Sequence, residues 1–226
     1  MKRKNRSKNR PKTAPAKSGS AKAAVAVAKK RPPVKALQVL IACGGTGGHL
    51  FPGIAVAEVL KARGHGVTLL ISEKKIDDLA ASGHPGLKFE KMPFLAMPRP
   101  WSPKMVRFLC ALWKGRAQCR KIIQREKVDV VLGMGGFTSF APLWAGKAEN
   151  CRRLIHESNA IPGKANRLNA KICDTVLCGL EACRKHFPKH EDVRTVGTPV
   201  RSSMRQSAVE DPHAYFRLAK DRKTLL

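Results

Sequence analysis

The chain has 226 residues, of which 44 are Lys or Arg and 16 are Asp or Glu, for a formal net charge of +28. That length holds one full domain with appendages. Seven cysteines without a CxxC pair exclude a zinc knuckle or a small disulfide scaffold, and read as buried small hydrophobes in a reducing compartment.

The charge is uneven. Residues 1–35 hold 13 Lys/Arg and no acid, which leaves 31 basic against 16 acidic residues for the rest. This segment has no aromatic residue, and its one apolar run, AAVAVA, is too short for a signal-peptide core or a bilayer span. It reads as a disordered basic arm making nonspecific contacts with polyanions, either nucleic acid or anionic lipid. Pro11, Pro15, Pro32 and Pro33 argue against an amphipathic mitochondrial presequence.

From residue 36 the pattern changes. LQVLIAC (37–43) is a strand buried on both faces. A helix follows, with Pro52 expected at its first position, Ala55, Val56, Val59 and Leu60 on its apolar side, and Gly64 as its stop. GVTLLIS (66–72) is a second strand and EKKIDDLAAS (73–82) a short helix. LKFEKMP (87–93), VDVVLGM (128–134), CRRLIHE (151–157) and TVLCG (175–179) continue the strands, with helical segments between most of them. Strands alternating with helices at this spacing predict a doubly wound α/β domain with a parallel sheet.

Between residues 98 and 127 lie nine Lys/Arg and one Glu. On a helical wheel Met105, Val106, Phe108, Leu109, Leu112 and Trp113 share one side, opposite Lys104, Arg107 and Lys114. Such a stripe fits a crossover helix packed on the sheet. It also fits a surface that meets an anionic bilayer, which the basic flank and Trp101 and Trp113 favour.

Doubly wound sheets bind ligands at the carboxyl ends of their strands. There the sequence places GGTGGH (44–49), GMGGFTS (133–139), HESN (156–159) and GTPVR (197–201). Glycine-rich turns opening helices let an anion approach unpaired N–H groups. The first loop lacks the Gly-Lys-[Ser/Thr] of a P-loop, and Leu50 occupies the third glycine position of a dinucleotide fingerprint. Glu73 near the end of the second strand does not rescue a nicotinamide reading.

GGTGGHLFPGIAVAEVL, DVVLGMGGFTSFAP, LIHESNAIPGKANR and VGTPVR resemble, in order and spacing across residues 37–201, the successive motifs of the MurG glycosyltransferases. The resemblance implies the N-terminal Rossmann-like half of a GT-B enzyme, residues 36–201, that receives a lipid acceptor. It implies an inverting transfer of N-acetylglucosamine from UDP-N-acetylglucosamine to undecaprenyl-diphosphate-linked muramoyl pentapeptide. No cofactor is implied, and no Asp-x-Asp appears. The expected location is peripheral, on the cytoplasmic face of the bacterial membrane, with an anionic membrane surface and no specific nucleic acid as partner.

Carried over by motif, Thr46, Gly47 and Gly48 line the cleft and touch the donor, and Gly135 and Gly136 cradle the acceptor's diphosphate together with that first loop. Asn159 and Arg201 meet the donor. Ser158 and Thr198 depart from the glutamine and asparagine usual at those places. The reaction needs a base near the cleft. His49 is the first candidate, with a structural hydrogen-bonding role as its alternative, and Glu157 the second, although such a carboxylate often only ties neighbouring N–H groups. His156 reads as a packed structural histidine. Other readings are a different GT-B lipid glycosyltransferase, a nucleic-acid binder suggested by charge alone, and a non-catalytic acceptor- or membrane-binding module.

Residues 202–211 read as a linker and 212–226 as a short helix followed by the opening of a strand. The sequence is therefore expected to be a fragment, with 202–226 beginning a donor-binding domain, and to be inactive in sugar transfer on its own.

Overall fold

Seven parallel strands build the sheet, and their order along it decides where a ligand can sit. The computed structural model describes residues 35–45, 47–93, 98, 101–201, 211–216 and 218–219. The expected basic arm before residue 35, Thr46, and most of 202–226 lie outside them.

The elements run β1 (Gln38–Ala42), α1 (Gly47–Ala62), β2 (Gly66–Ser72), α2 (Lys75–Ser82), β3 (Lys88–Met92), α3 (Lys104–Glu126) and β4 (Val130–Gly133). A 3₁₀ turn (Phe137–Ser139) then leads into α4 (Phe140–Ala148), β5 (Arg152–Glu157), α5 (Lys164–Asn169), β6 (Thr175–Cys178), α6 (Glu181–Arg184), β7 (Val193–Thr195) and α7 (Pro212–Tyr215). The sheet order is β3-β2-β1-β4-β5-β6-β7. Every neighbouring pair is parallel. The chain winds from β1 outward through β2 to β3, then returns to lay β4 on the other side of β1. That reversal opens a crevice between the loops after β1 and β4.

Parallel strands covered on both faces need apolar residues at successive positions. In β1, Leu40 and Ala42 face one side with Leu70, Val131, Ile155 and Val176, where Cys119, Ile122 and Ile123 of α3 and Leu143 of α4 cover them. Val39 and Ile41 face the other side with Leu69 and Ile71, under Leu50, Ile54 and Ala57 of α1. Each fully buried Leu or Ile contributes about 1.5–3 kcal/mol relative to exposure. Cys43, Cys119, Cys151, Cys178 and Cys183 are buried as expected, whereas Cys173 is half-buried and Cys110 is exposed on α3.

Helix α1 begins five residues before the expected start, so Pro52 is an interior residue. Pro52 has no N–H to donate to the Gly48 carbonyl, which is left without its intrahelical partner. Gly64, with φ +83°, follows the helix as expected. The strand β7 was not legible as one: its burial is slight, with Arg194 and Thr195 exposed.

The apolar stripe on α3 divides. Phe108 turns inward and meets Phe137 edge-on at 6.3 Å, while Val106 and Trp113 remain 69% and 57% exposed. Trp113 packs edge-to-face on Trp144 at 4.8 Å, and the Arg116 guanidinium stacks over Trp144 at 4.5 Å. Val106, Leu109 and Trp113 are thus exposed apolar residues of α3, and Trp101 just before it is exposed too, as are Lys104, Arg107 and Lys114. Among the described residues no helix is long and apolar enough to cross a membrane.

Candidate active site

Both glycine loops open onto the crevice between β1 and β4. After β1, the Cys43 and Gly44 amides both donate to the Leu70 carbonyl at 3.1 and 3.2 Å, drawing the chain across β2. A side chain on Gly44 would come 2.4 Å from the Ser72 amide nitrogen, so only glycine fits this approach. Gly47 and Gly48 are the first residues of α1. Their amides have no partner within the helix and carry the positive end of its dipole.

His49, next along α1, lays its ring on the second loop. A Cβ built on Gly135 would stand 2.8 Å from His49 Nε2, and one on Gly136 would stand 3.4 Å from its Cε1. Gly135 and Gly136 have φ of +122° and +72°. Ser139, buried beneath them, both accepts the Gly135 N–H at 3.2 Å and donates to the Gly135 carbonyl at 2.9 Å. The loops therefore meet through an imidazole lying on bare backbone. Partial burial holds the His49 pKa below the ordinary histidine value, with the Glu157 charge opposing the shift. At neutral pH this imidazole is uncharged and able to take a proton.

Glu157, at the end of β5, is buried. Its Oε1 accepts the Asn159 amide at 2.9 Å and the Asn159 side-chain Nδ2 at 2.8 Å. Its Oε2 accepts the Gly163 amide at 3.1 Å and Asn166 Nδ2 at 3.0 Å. Four donors on two oxygens make the carboxylate a brace for the loop between β5 and α5. His156 is likewise structural: its Nε2 donates to the Gly197 carbonyl at 3.0 Å, and its Nδ1 lies 3.4 Å from Ser158 Oγ. Burial lowers its pKa as well.

Two residues not singled out in the sequence join these loops. Asn166 Nδ2 also donates to the His156 carbonyl at 3.2 Å, and Asn169 Nδ2 donates to the Gly136 carbonyl at 3.1 Å. The two amides meet at 3.2 Å. Asparagines three apart on a helix share a face, and that spacing in KANRLN was the available signal. Arg201 reaches the site from beyond β7, its guanidinium 4.2 Å from the Phe51 ring on the first turns of α1. The structure thus gathers His49, Gly47, Gly48, Gly135, Gly136, Glu157 and Arg201 at one edge of the sheet. Asn159 is exposed at the same edge, with its amide engaged by Glu157.

A family model described as the glycosyltransferase family 28 N-terminal domain matches residues 39–178. The UDP-N-acetylglucosamine--N-acetylmuramyl-(pentapeptide) pyrophosphoryl-undecaprenol N-acetylglucosamine transferase of Geobacter sulfurreducens is 39% identical over 166 residues, covering 73% of this chain and 45% of that protein. Its namesake from Geotalea uraniireducens is 37% identical over 169 residues, covering 74% of this chain and 46% of its own length. Among solved structures, Acinetobacter baumannii MurG superposes with a TM-score of 0.61 at 23% identity, covering 78% of this chain and 50% of that one. A putative UDP-N-acetylglucosamine 2-epimerase from Listeria monocytogenes reaches 0.60 at 13% identity, covering 81% of this chain and 52% of its own, so likeness of shape shows the fold alone. The chain spans about half the length of the curated relatives it matches.

Proposed function

The chain belongs to glycosyltransferase family 28, and from that premise we propose that it is the acceptor-binding half of an enzyme that transfers N-acetylglucosamine from UDP-N-acetylglucosamine to a polyprenyl-diphosphate-linked muramoyl pentapeptide. The observation that carries the reading is the His49 imidazole lying on Gly135 and Gly136. It puts a neutral base within the same crevice as two loops suited to a diphosphate. Two relatives bear the name of this transferase at 39% and 37% identity.

In this reading the amides of Gly47 and Gly48 and the second glycine loop hold the acceptor's diphosphate. His49 accepts the proton of the muramoyl hydroxyl as its oxygen bonds to the anomeric carbon from the face opposite the leaving UDP. The C–O bond to UDP breaks with inversion, and its electron pair leaves on the diphosphate. Arg201, held over Phe51, supplies a positive charge on the same side. Glu157 holds the loop carrying Asn159 and faces His49 only through its field.

The lipid follows from continuity. An apolar cleft lined by Met92, Phe108, Leu112, Phe137 and Ala141 shares Phe137 with the second glycine loop, and Phe108 and Leu112 with α3. A polyprenyl chain leaving the diphosphate there meets the exposed Trp101, Val106, Leu109 and Trp113 surface. Apolar residues beside lysines and arginines suit peripheral contact with an anionic bilayer, at the cytoplasmic face of a bacterial membrane. The test is equilibrium binding of the lipid-linked acceptor in detergent micelles. Saturable binding that Gly135→Ala abolishes supports the reading, and binding indifferent to that change refutes it.

A further inference from the structure

We propose that Asp77 is a positioning residue that fixes the first glycine loop, an inference that rests on reading the two glycine loops as a diphosphate site. Asp77 lies on α2, outside every motif of the sequence, yet it is fully buried. Its Oδ2 accepts the Ser72 amide at 2.7 Å and the Ser72 hydroxyl. The same oxygen accepts the Gly45 amide at 3.2 Å, from 32 residues earlier in the chain. Its other oxygen, Oδ1, is buried with no hydrogen-bond partner among the described residues.

A carboxylate half satisfied in the interior is costly, and a hydrophobic residue would pack there without that cost. What the charge supplies is the grip on Gly45. From the same turn Lys74 Nζ donates to the Gly45 carbonyl at 2.7 Å. Both polar groups of Gly45 are thus held by the entry to α2. On its other side, a Cβ on Gly45 would come 3.3 Å from Thr138 Cγ2 of the second glycine loop. Gly45 therefore sits between a clamp and the opposing loop, two residues before α1 begins. The clamp sets how far the N-terminus of α1 stands from Gly135 and Gly136, and hence the width offered to a diphosphate.

The test uses the whole 226-residue chain and inorganic pyrophosphate as probe. Asp77→Ala removes the grip, Asp77→Asn keeps one acceptor oxygen without charge, and Lys74→Ala removes the second contact from an exposed position. Asp77→Ala should speed hydrogen exchange of the Gly45 amide by about tenfold or more and weaken pyrophosphate binding by about fivefold or more. Asp77→Asn and Lys74→Ala should lie between this variant and wild type. Asp78→Asn, which breaks only the surface ion pair with Lys91, should change neither reading. An unchanged Gly45 amide refutes the clamp, and faster exchange with undiminished pyrophosphate affinity refutes the positioning role. If Asp77→Ala does not fold, the other two variants decide on the same readings. A wild-type chain that binds no pyrophosphate overturns the diphosphate reading itself, whereas failure confined to the variants overturns only this inference.

Discussion

Replacing Gly135 by alanine isolates the contact on which the catalytic reading depends. The new methyl group arrives 2.8 Å from His49 Nε2 and 2.9 Å from Cδ2, about 0.6 Å short of the 3.4 Å where ordinary contact begins. A second contact, 3.4 Å from Asn166 Nδ2, stands behind the same methyl and restricts escape in that direction. The backbone cannot relieve the clash, because Gly135 has φ +122°, a region closed to alanine without strain of about 1–3 kcal/mol. That strain lowers the melting temperature by roughly 2–12 °C for a domain of this size. The His49 ring must also swing away by several tenths of an ångström, and a displacement near 1 Å costs about a hundredfold in a reaction that needs it in place. Gly136→Ala is the control. Its φ of +72° imposes comparable strain, but its methyl meets His49 Cε1 at 3.4 Å, in ordinary contact. Thermal unfolding followed by circular dichroism should therefore show both variants destabilised. The His49 ring signals in NMR should move strongly in the first variant and little in the second. Equal movement in both, or none in Gly135→Ala, refutes the placement of His49 on the second loop.

Other outcomes follow from the same geometry. In an enzyme possessing both halves, His49→Ala should cut turnover by roughly a hundredfold or more while acceptor binding changes little; near-normal turnover makes His49 a scaffold. His49 and His156 both have folded-state pKa values below the ordinary one. As pH falls below about 6.5 the unfolded chain therefore takes up protons first, so stability declines toward the folded-state values and is flat above that range as far as these groups are concerned. Urea midpoints between neutral and mildly acidic pH should show this decline, and His156→Gln should flatten it. Replacing exposed Trp113 and Val106 by serine should leave the fold intact and weaken binding to anionic vesicles by about tenfold or more, with little salt dependence in the lost part; an unfolded product refutes the surface assignment.

The sheet was legible because its strands are apolar at successive positions with glycine close to their ends, as QVLIA just before Gly44 and GVTLLIS opening on Gly66 show. The loops of the site were legible for a related reason: glycines there are concentrated where backbone must approach backbone. Besides the slight strand β7, three kinds of feature escaped. The start of α1 was misplaced because Pro52 is a helix-start signal that this fold uses inside the first turns. The stripe on α3 carried the same periodicity for core and for surface, and only burial separated Phe108 from Trp113. Asp77 and the pair Asn166 and Asn169 escaped because their work lies in contacts across the fold. Polar residues on short helices look like solvated faces until the loops they hold are in view.

Glu157 has no free oxygen with which to serve as a base, but its charge still reaches the one that does. Burial pushes the His49 pKa down, and Glu157 is the group that pushes it back. It acts in the same sense on His156. Glu157→Gln keeps the shape and removes the charge, so both histidines should titrate at still lower pH than in the parent chain. The imidazolium formed when His49 takes the acceptor's proton would lose the compensating charge of Glu157, and turnover should fall even though no atom in contact with substrate has changed. The glutamine amide must also face one of the two donor pairs, either that of Asn159 or that of Gly163 and Asn166, at a cost of about 1–3 kcal/mol. Histidine titration by NMR separates the two effects, because the packing loss shifts the unfolding midpoint whereas the field moves the titration. If His49 titrates at the same or a higher pH in Glu157→Gln, the carboxylate does not act on the base, and Glu157 is a brace and nothing more.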